Sequence, residues 1–199
     1  MQTGMADFCH KAAASSNIYL ETVVEYDLYC HNVAGLVGEG LSRLFATSGK
    51  EVEWLGEQLV LSNSMGLLLQ KTNITRDYAE DVDQGRFFWP KEIWGAYGFD
   101  KLEELKEPAN EQRALFALNA MVINALAHSV DALDYLSLLK NQSVFNFCAI
   151  PATMALATLA LCYNNPNVLH KNVKIRKAHA VDVCPFTLVL YHAADTFHS

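Results

Sequence analysis

The chain is 199 residues long, 51% hydrophobic and 19% charged, with a formal net charge of −7. That length fits one domain able to bury a core, and the apolar balance excludes a disordered chain. The acidic balance excludes a nucleic-acid partner, which needs a basic footprint, so an anionic ligand must be met by local cations or by a metal. Cys9, Cys30, Cys148, Cys162 and Cys184 are scattered without C-x-x-C spacing, the pattern of buried, reduced thiols in a reducing compartment. No charged-then-apolar leader opens the chain. The longest apolar tract, near "CAIPATMALATLALC", contains Pro151 and is shorter than the ~20 residues of a spanning helix, so the chain reads as soluble.

The elements are helical in chain order. From Ile18 to Phe45, apolar residues such as Tyr26, Val33, Val37 and Leu44 recur at three- and four-residue steps until "TSGKE". A second run covers about Glu57 to Asp81 and stops at "DQGRFFWP", where Gly85 and Pro90 forbid continuation. Short helical pieces follow near Lys91–Ala96 and Lys101–Lys106, and Pro108 opens a long helix through Leu118, Leu126 and Leu136. A fourth run, Val144 to Tyr163, is apolar nearly all round and belongs inside a bundle. "NNPN" closes it, and "KNVKIRK" is the one dense basic cluster. No repeat, low-complexity tract or strand alternation interrupts this pattern.

Chemistry concentrates in "QKTNITRDYAED", residues 70 to 81. At about 100° per residue, Gln70, Asn73, Asp77 and Asp81 fall on one helical face. Two carboxylates and two carboxamides there suit Mg²⁺, which takes oxygen ligands and shares them with substrate phosphates. Arg76 is placed for phosphate oxygens or for Glu80 as an i,i+4 partner. D-x-x-x-D alone is more often the pattern of a solvated helix end. Asp131 and Asp134 are the other close pair and read as a polar stripe, while Asp7, Asp27 and Asp100 stand alone. Gly35, Gly38 and Gly40 are unusually many for one helix, so something approaches it closely.

The blocks "YCHNVAGLVGEGLSRLF", "NSMGLLLQKTNITRDYAEDVDQGRFFWPKEIW", "NQSVFNFCAIPATMALATLALCYNN" and "NVKIRK" resemble the squalene synthases, the fungal ones most. The resemblance runs from "GMADF" to about Arg176 and Lys177. It implies an all-α isoprenoid-synthase-type helical bundle over residues 1–177, with a divergent tail at 178–199. The implied activity joins two farnesyl diphosphates head to head through presqualene diphosphate and reduces the product with NADPH to squalene, for sterol synthesis. By this resemblance Asp77 and Asp81 are Mg²⁺ ligands, with Gln70, Asn73 and Arg76 binding substrate. Tyr29 serves the first half-reaction, Phe147 the later cationic steps with Tyr135 as its neighbour, and Asn73, Lys174 and Arg176 the NADPH site. The family also implies a monomer on the cytosolic face of the endoplasmic reticulum membrane.

Departures accompany the matches. Asn32 stands where the family has tyrosine, Thr75 where it has isoleucine, and "PAT" at 151–153 where it has "PQV". The family's first aspartate-rich motif and its C-terminal membrane anchor are expected outside this sequence, making the bundle partial and the chain alone unable to make squalene. An alternative is a non-catalytic helical remnant that binds prenyl lipid or a helical partner. "KIRK" and "NFCAIP" speak against a phytoene-type synthase.

Overall fold

A computed structural model describes residues 20–175. Helix α1, Val23–Cys30, is capped by Thr22, whose hydroxyl accepts from the Glu25 N–H at 3.1 Å and so satisfies a donor the helix itself cannot. A π-helical turn, His31–Gly35, leads into α2, Leu36–Thr47. The helix predicted from Ile18 thus begins at Val23 and carries a widened turn. That turn lies where the His31 ring bonds Asn63 Oδ1 at 2.8 Å, a pairing 32 positions away that periodicity does not reveal.

After a 3-10 turn at Glu53–Glu57, α3 runs Leu59–Arg76 and α4 runs Tyr78–Asp83. The single helix predicted here is therefore two. Asp77 has left helical geometry (φ −91°, ψ 10°), and the Trp89 indole N–H donates to the Ile74 carbonyl at 3.2 Å beside the break. Helical register nevertheless survives: the Asp77 N–H bonds the Asn73 carbonyl and the Asp81 N–H bonds the Asp77 carbonyl, each at 2.9 Å. Gly85, at φ +71°, supplies the left-handed turn that ends α4.

The short pieces form α5, Lys91–Trp94, and 3-10 turns at Gly95–Tyr97, Leu102–Lys106 and Pro108–Asn110. The long helix predicted from Pro108 divides into α6, Glu111–Leu126, and α7, Ser129–Leu138, with Ala127 and His128 between them. Helix α8, Gln142–Cys162, has Pro151 inside it. Its start is fixed twice: Asn141 Oδ1 accepts from the Ser143 and Val144 N–H groups, and the buried Glu51 carboxylate accepts from those of Lys140 and Asn141. Helix α3 lies at the centre, packed by α2, α6, α7, α8 and the π turn. No β-strand forms among the described residues.

Two predictions about α8 need correction. It is 21 residues long, and both it and the Pro108–Leu138 stretch are long and apolar enough to span a membrane by length and composition. Nor is it enclosed on every side within the described residues, for Phe147 is 58% exposed and Ile150 is also exposed.

The predicted close approach at the glycines is real for two of the three. A Cβ on Gly38 would stand 2.3 Å from the Ser62 carbonyl oxygen, and one on Gly35 would run into Asn63, whereas Gly40 faces open space. The approaching partner is α3, whose Gly66 in turn leaves no room for a Cβ beside the Ala34 carbonyl.

Candidate active site

Two regions meet along α3. The first is polar. Gln70 and Arg76 are half-buried and Asn73 is exposed on a stretch of α3 that is otherwise largely buried, with Asp77 half-buried at its end, so the sequence pattern leaves one wall open. Arg76 grips its neighbour with both arms, Nε to Asp77 Oδ1 at 2.8 Å and Nη2 to Oδ2 at 2.7 Å, rather than reaching Glu80. This fork raises the Arg76 pKa, through the hydrogen bond to Asp77. Asp81, almost buried, accepts from Arg86 at 2.6 Å. Burial pushes the Asp81 carboxyl pKa up, and the Arg86 guanidinium resists that rise.

The chain after α8 returns to this wall. A 3-10 turn, Pro166–Leu169, packs on α4, and the Asn172 side-chain amide donates to Asp77 Oδ1. Lys174 follows two residues later, exposed. Arg176 and Lys177 lie outside the described residues, as do Cys9, Cys184, Asp7 and the 178–199 tail.

The second region is apolar. A cavity of about 250 Å³ is bounded by Val37, Leu41 and Phe45 of α2, Met65 and Leu69 of α3, and Tyr135, Phe147, Cys148 and Pro151. Phe147 meets Phe45 edge to face, ring centres 6.1 Å apart. The Tyr135 hydroxyl lies 2.6 Å from Ser42 Oγ, which itself donates to the Gly38 carbonyl, so the phenol is the donor of the pair. Burial pushes the Tyr135 pKa up to about 12, with the Ser42 contact opposing, and lifts the Cys148 thiol to about 12 as well. Both stay protonated at neutral pH. Cys30 and Cys162 are likewise free, buried thiols.

Helix α3 and the rod of α1 and α2 connect the two regions. Tyr29 stands at the α1 end of that rod, stacked on Phe88 at 5.2 Å, one turn before the Val33 that opens the cavity wall. The structure thus brings Tyr135 and Phe147 together around the cavity, with Tyr29 outside its lining. Asp131 and Asp134 do not face the Asp77 wall as a pair: Asp131 accepts from Ser64 Oγ at 2.8 Å and Asp134 is exposed.

A profile of the squalene/phytoene synthase family matches residues 1–179. The chain belongs to that family. Its squalene synthase relatives include that of Ganoderma lucidum, 57% identical over 92% of this chain, and that of Rattus norvegicus, 54% identical over 90%. The chain spans 41% and 44% of their respective lengths. Among solved structures, a complex of TcSQS with the ligand BPH1237 is 43% identical, superposes with a TM-score of 0.86, and is matched over 96% of this chain and 56% of its own. The all-α bundle is therefore that of the squalene synthases.

Several side chains at this candidate site were not apparent from the sequence. Asn172 and Ser42 carry no local signal, because each acts on a partner brought near by folding, whereas Arg86 reaches Asp81 five positions away across the turn at Gly85. Asp27, expected to stand alone, instead pairs with Lys71 at 2.6 Å. Among the described residues, no three His, Cys, Asp or Glu side chains converge as a metal-binding group.

Proposed function

We propose that this chain forms part of the site at which two farnesyl diphosphates are condensed head to head through presqualene diphosphate and the product is reduced to squalene for sterol synthesis. The observation that carries the reading is the junction, along α3, of an oxygen-rich wall and an apolar, aromatic-lined cavity. Family membership and the squalene synthase relatives support it.

Asp77 and Asp81 offer hard oxygen donors one turn apart, a donor set that fits Mg²⁺. Mg²⁺ commonly sits on one or two carboxylates and completes its shell with substrate phosphate oxygens and water. Bound there, Mg²⁺ would neutralise charge developing on the departing diphosphate. Arg76 and Asn172 hold Asp77 in place, Arg86 opposes the effect of burial on the Asp81 carboxyl, and Gln70 and Asn73 present amides on the same wall.

The rest of the reaction needs dryness. An allylic cation survives where water is excluded and a ring face attracts positive charge. Phe147 and Tyr135 supply such faces, and burial, which raises the Tyr135 pKa to about 12, keeps its phenol protonated rather than an anionic nucleophile beside the cavity. Tyr29, at the α1 end of the rod, is assigned to the first half-reaction. NADPH would supply reducing equivalents, met by Asn73 and Lys174, with Arg176 assigned there by likeness to the family. The same likeness supports a location at the cytosolic face of the endoplasmic reticulum membrane. A non-catalytic remnant is less favoured, since it would have no need of the forked Arg76–Asp77 pair or the Arg86–Asp81 pair.

Calorimetric titration of the purified chain with farnesyl diphosphate tests the site. Binding should strengthen when Mg²⁺ is added, and Asp77→Asn should remove that dependence. Binding indifferent to both would count against this assignment.

A further inference from the structure

Lys71 is the most deeply buried charged side chain among the described residues, 1% exposed, and it takes no part in the site just described. Its ammonium has three protons and three acceptors: Asp27 Oδ1 at 2.6 Å, Asn124 Oδ1 at 2.7 Å and His128 Nε2 at 2.8 Å. The Tyr26 ring lies 5.2 Å away. These partners come from α1, α6 and the α6–α7 junction, while Lys71 stands on α3 between Gln70 and Asn73.

A charge buried this deeply is a poor source of stability, because desolvation offsets the attraction that pairing returns. It is a strong source of geometry, since each proton has one acceptor and one direction. Helix α1 has need of that. Tyr26 and Cys30 are its only fully buried side chains, and Val24 and Leu28 are 76% and 58% exposed. Apolar packing therefore holds α1 weakly, and the Asp27–Lys71 pair fixes it to α3 two residues before Tyr29.

We propose that Lys71 is a positioning residue, whose ammonium sets the place of α1, and thereby of Tyr29, relative to the Asn73–Asp77–Asp81 wall of α3. The catalytic meaning of that placement rests on the squalene synthase reading; the placement itself does not.

The test has two arms. In the first, the 199-residue chain carries fluorotyrosine at position 29, with a second sample labelled at Tyr163 as control. Lys71→Met and Asp27→Asn should each shift the fluorine resonance at 29 but not at 163, and the double variant should shift it no further than the larger single change. Lys71→Arg, which keeps the charge, should restore much of the native signal. An unmoved resonance in a folded Lys71→Met or Asp27→Asn chain would overturn the proposal; if Lys71→Met fails to fold, Asp27→Asn decides. In the second arm, residues 20–175 replace the matching segment of the Ganoderma lucidum squalene synthase. There Lys71→Met should lower kcat by about 10- to 100-fold, as a misplaced reacting group does, with KM for farnesyl diphosphate little changed. A raised KM at unchanged kcat would contradict positioning. A chimera inactive with Lys71 intact would defeat the squalene synthase reading and leave the fluorine result to decide this one.

Discussion

Gly38→Ala should loosen the seam on which the whole site is built. The added methyl would lie 2.3 Å from the Ser62 carbonyl oxygen, with the Gly66 nitrogen 3.9 Å away. Both neighbours are backbone, so no side chain can rotate aside, and α2 and α3 must part by roughly 1 Å to reach an ordinary contact. Overpacking of this kind costs ~1–3 kcal/mol, and a rigid backbone obstacle places it at the upper end. Alanine's better helix propensity returns about 1 kcal/mol, leaving a net loss of about 2 kcal/mol. Gly40→Ala, on the same helix with nothing within 4 Å, has only the propensity term and should gain ~0.5–1 kcal/mol. Urea unfolding followed by circular dichroism measures both, and with m of about 1–3 kcal/mol/M the two midpoints should differ by roughly 1 M or more. If Gly38→Ala and Gly40→Ala unfold within about 0.5 kcal/mol of each other, a scatter ordinary for surface changes, the close α2–α3 approach is wrong.

Three further outcomes follow from the site. Ser42→Ala leaves the buried Tyr135 hydroxyl without its acceptor and should cost ~1–3 kcal/mol, more than Tyr135→Phe, after which Ser42 still bonds the Gly38 carbonyl; equal costs would contradict the assigned donor direction. His128 has its pKa lowered by burial first and then by the Lys71 ammonium, against the raising influence of Asp27 and Asp131. The unfolded chain therefore takes up that proton first, and stability should fall as pH drops below about 6.5. His128→Gln should flatten this slope in unfolding measured between pH 7 and 5.5, and an unchanged slope would show that His128 does not contribute. Arg86→Gln should raise the Asp81 carboxyl pKa, read by carbon NMR titration, since the guanidinium opposes the effect of burial there; a lowered value would refute that role.

How much of this was legible depended on the range of the interaction. The polar wall of Gln70, Asn73, Asp77 and Asp81 could be read from spacing because helical register carries through Asp77. The break itself could not, since its cause is an indole from Trp89 meeting the Ile74 carbonyl. Gly38 announced a close approach, but Gly40 sits two residues away on another side of the helix, and only the partner's position tells them apart. Lys71 was given no role from the sequence, because its acceptors Asn124 and His128 are 53 and 57 positions distant. The apolar run of α8 suggested full burial because periodicity reports hydrophobicity, not whether the facing space is filled by protein or left as the cavity bordered by Phe147 and Pro151.

The central claim, that the Asp77–Asp81 wall drives squalene formation beside the apolar cavity, is tested most directly by product analysis. The chimera bearing residues 20–175 is incubated with labelled farnesyl diphosphate, Mg²⁺ and NADPH, beside its Asp77→Asn and Asp81→Asn forms. The account predicts squalene from the first, presqualene diphosphate when NADPH is withheld, and a loss of about 10²- to 10³-fold or more in both variants, the scale of removing a leaving-group stabiliser. Squalene formed at equal rates by all three proteins would contradict it.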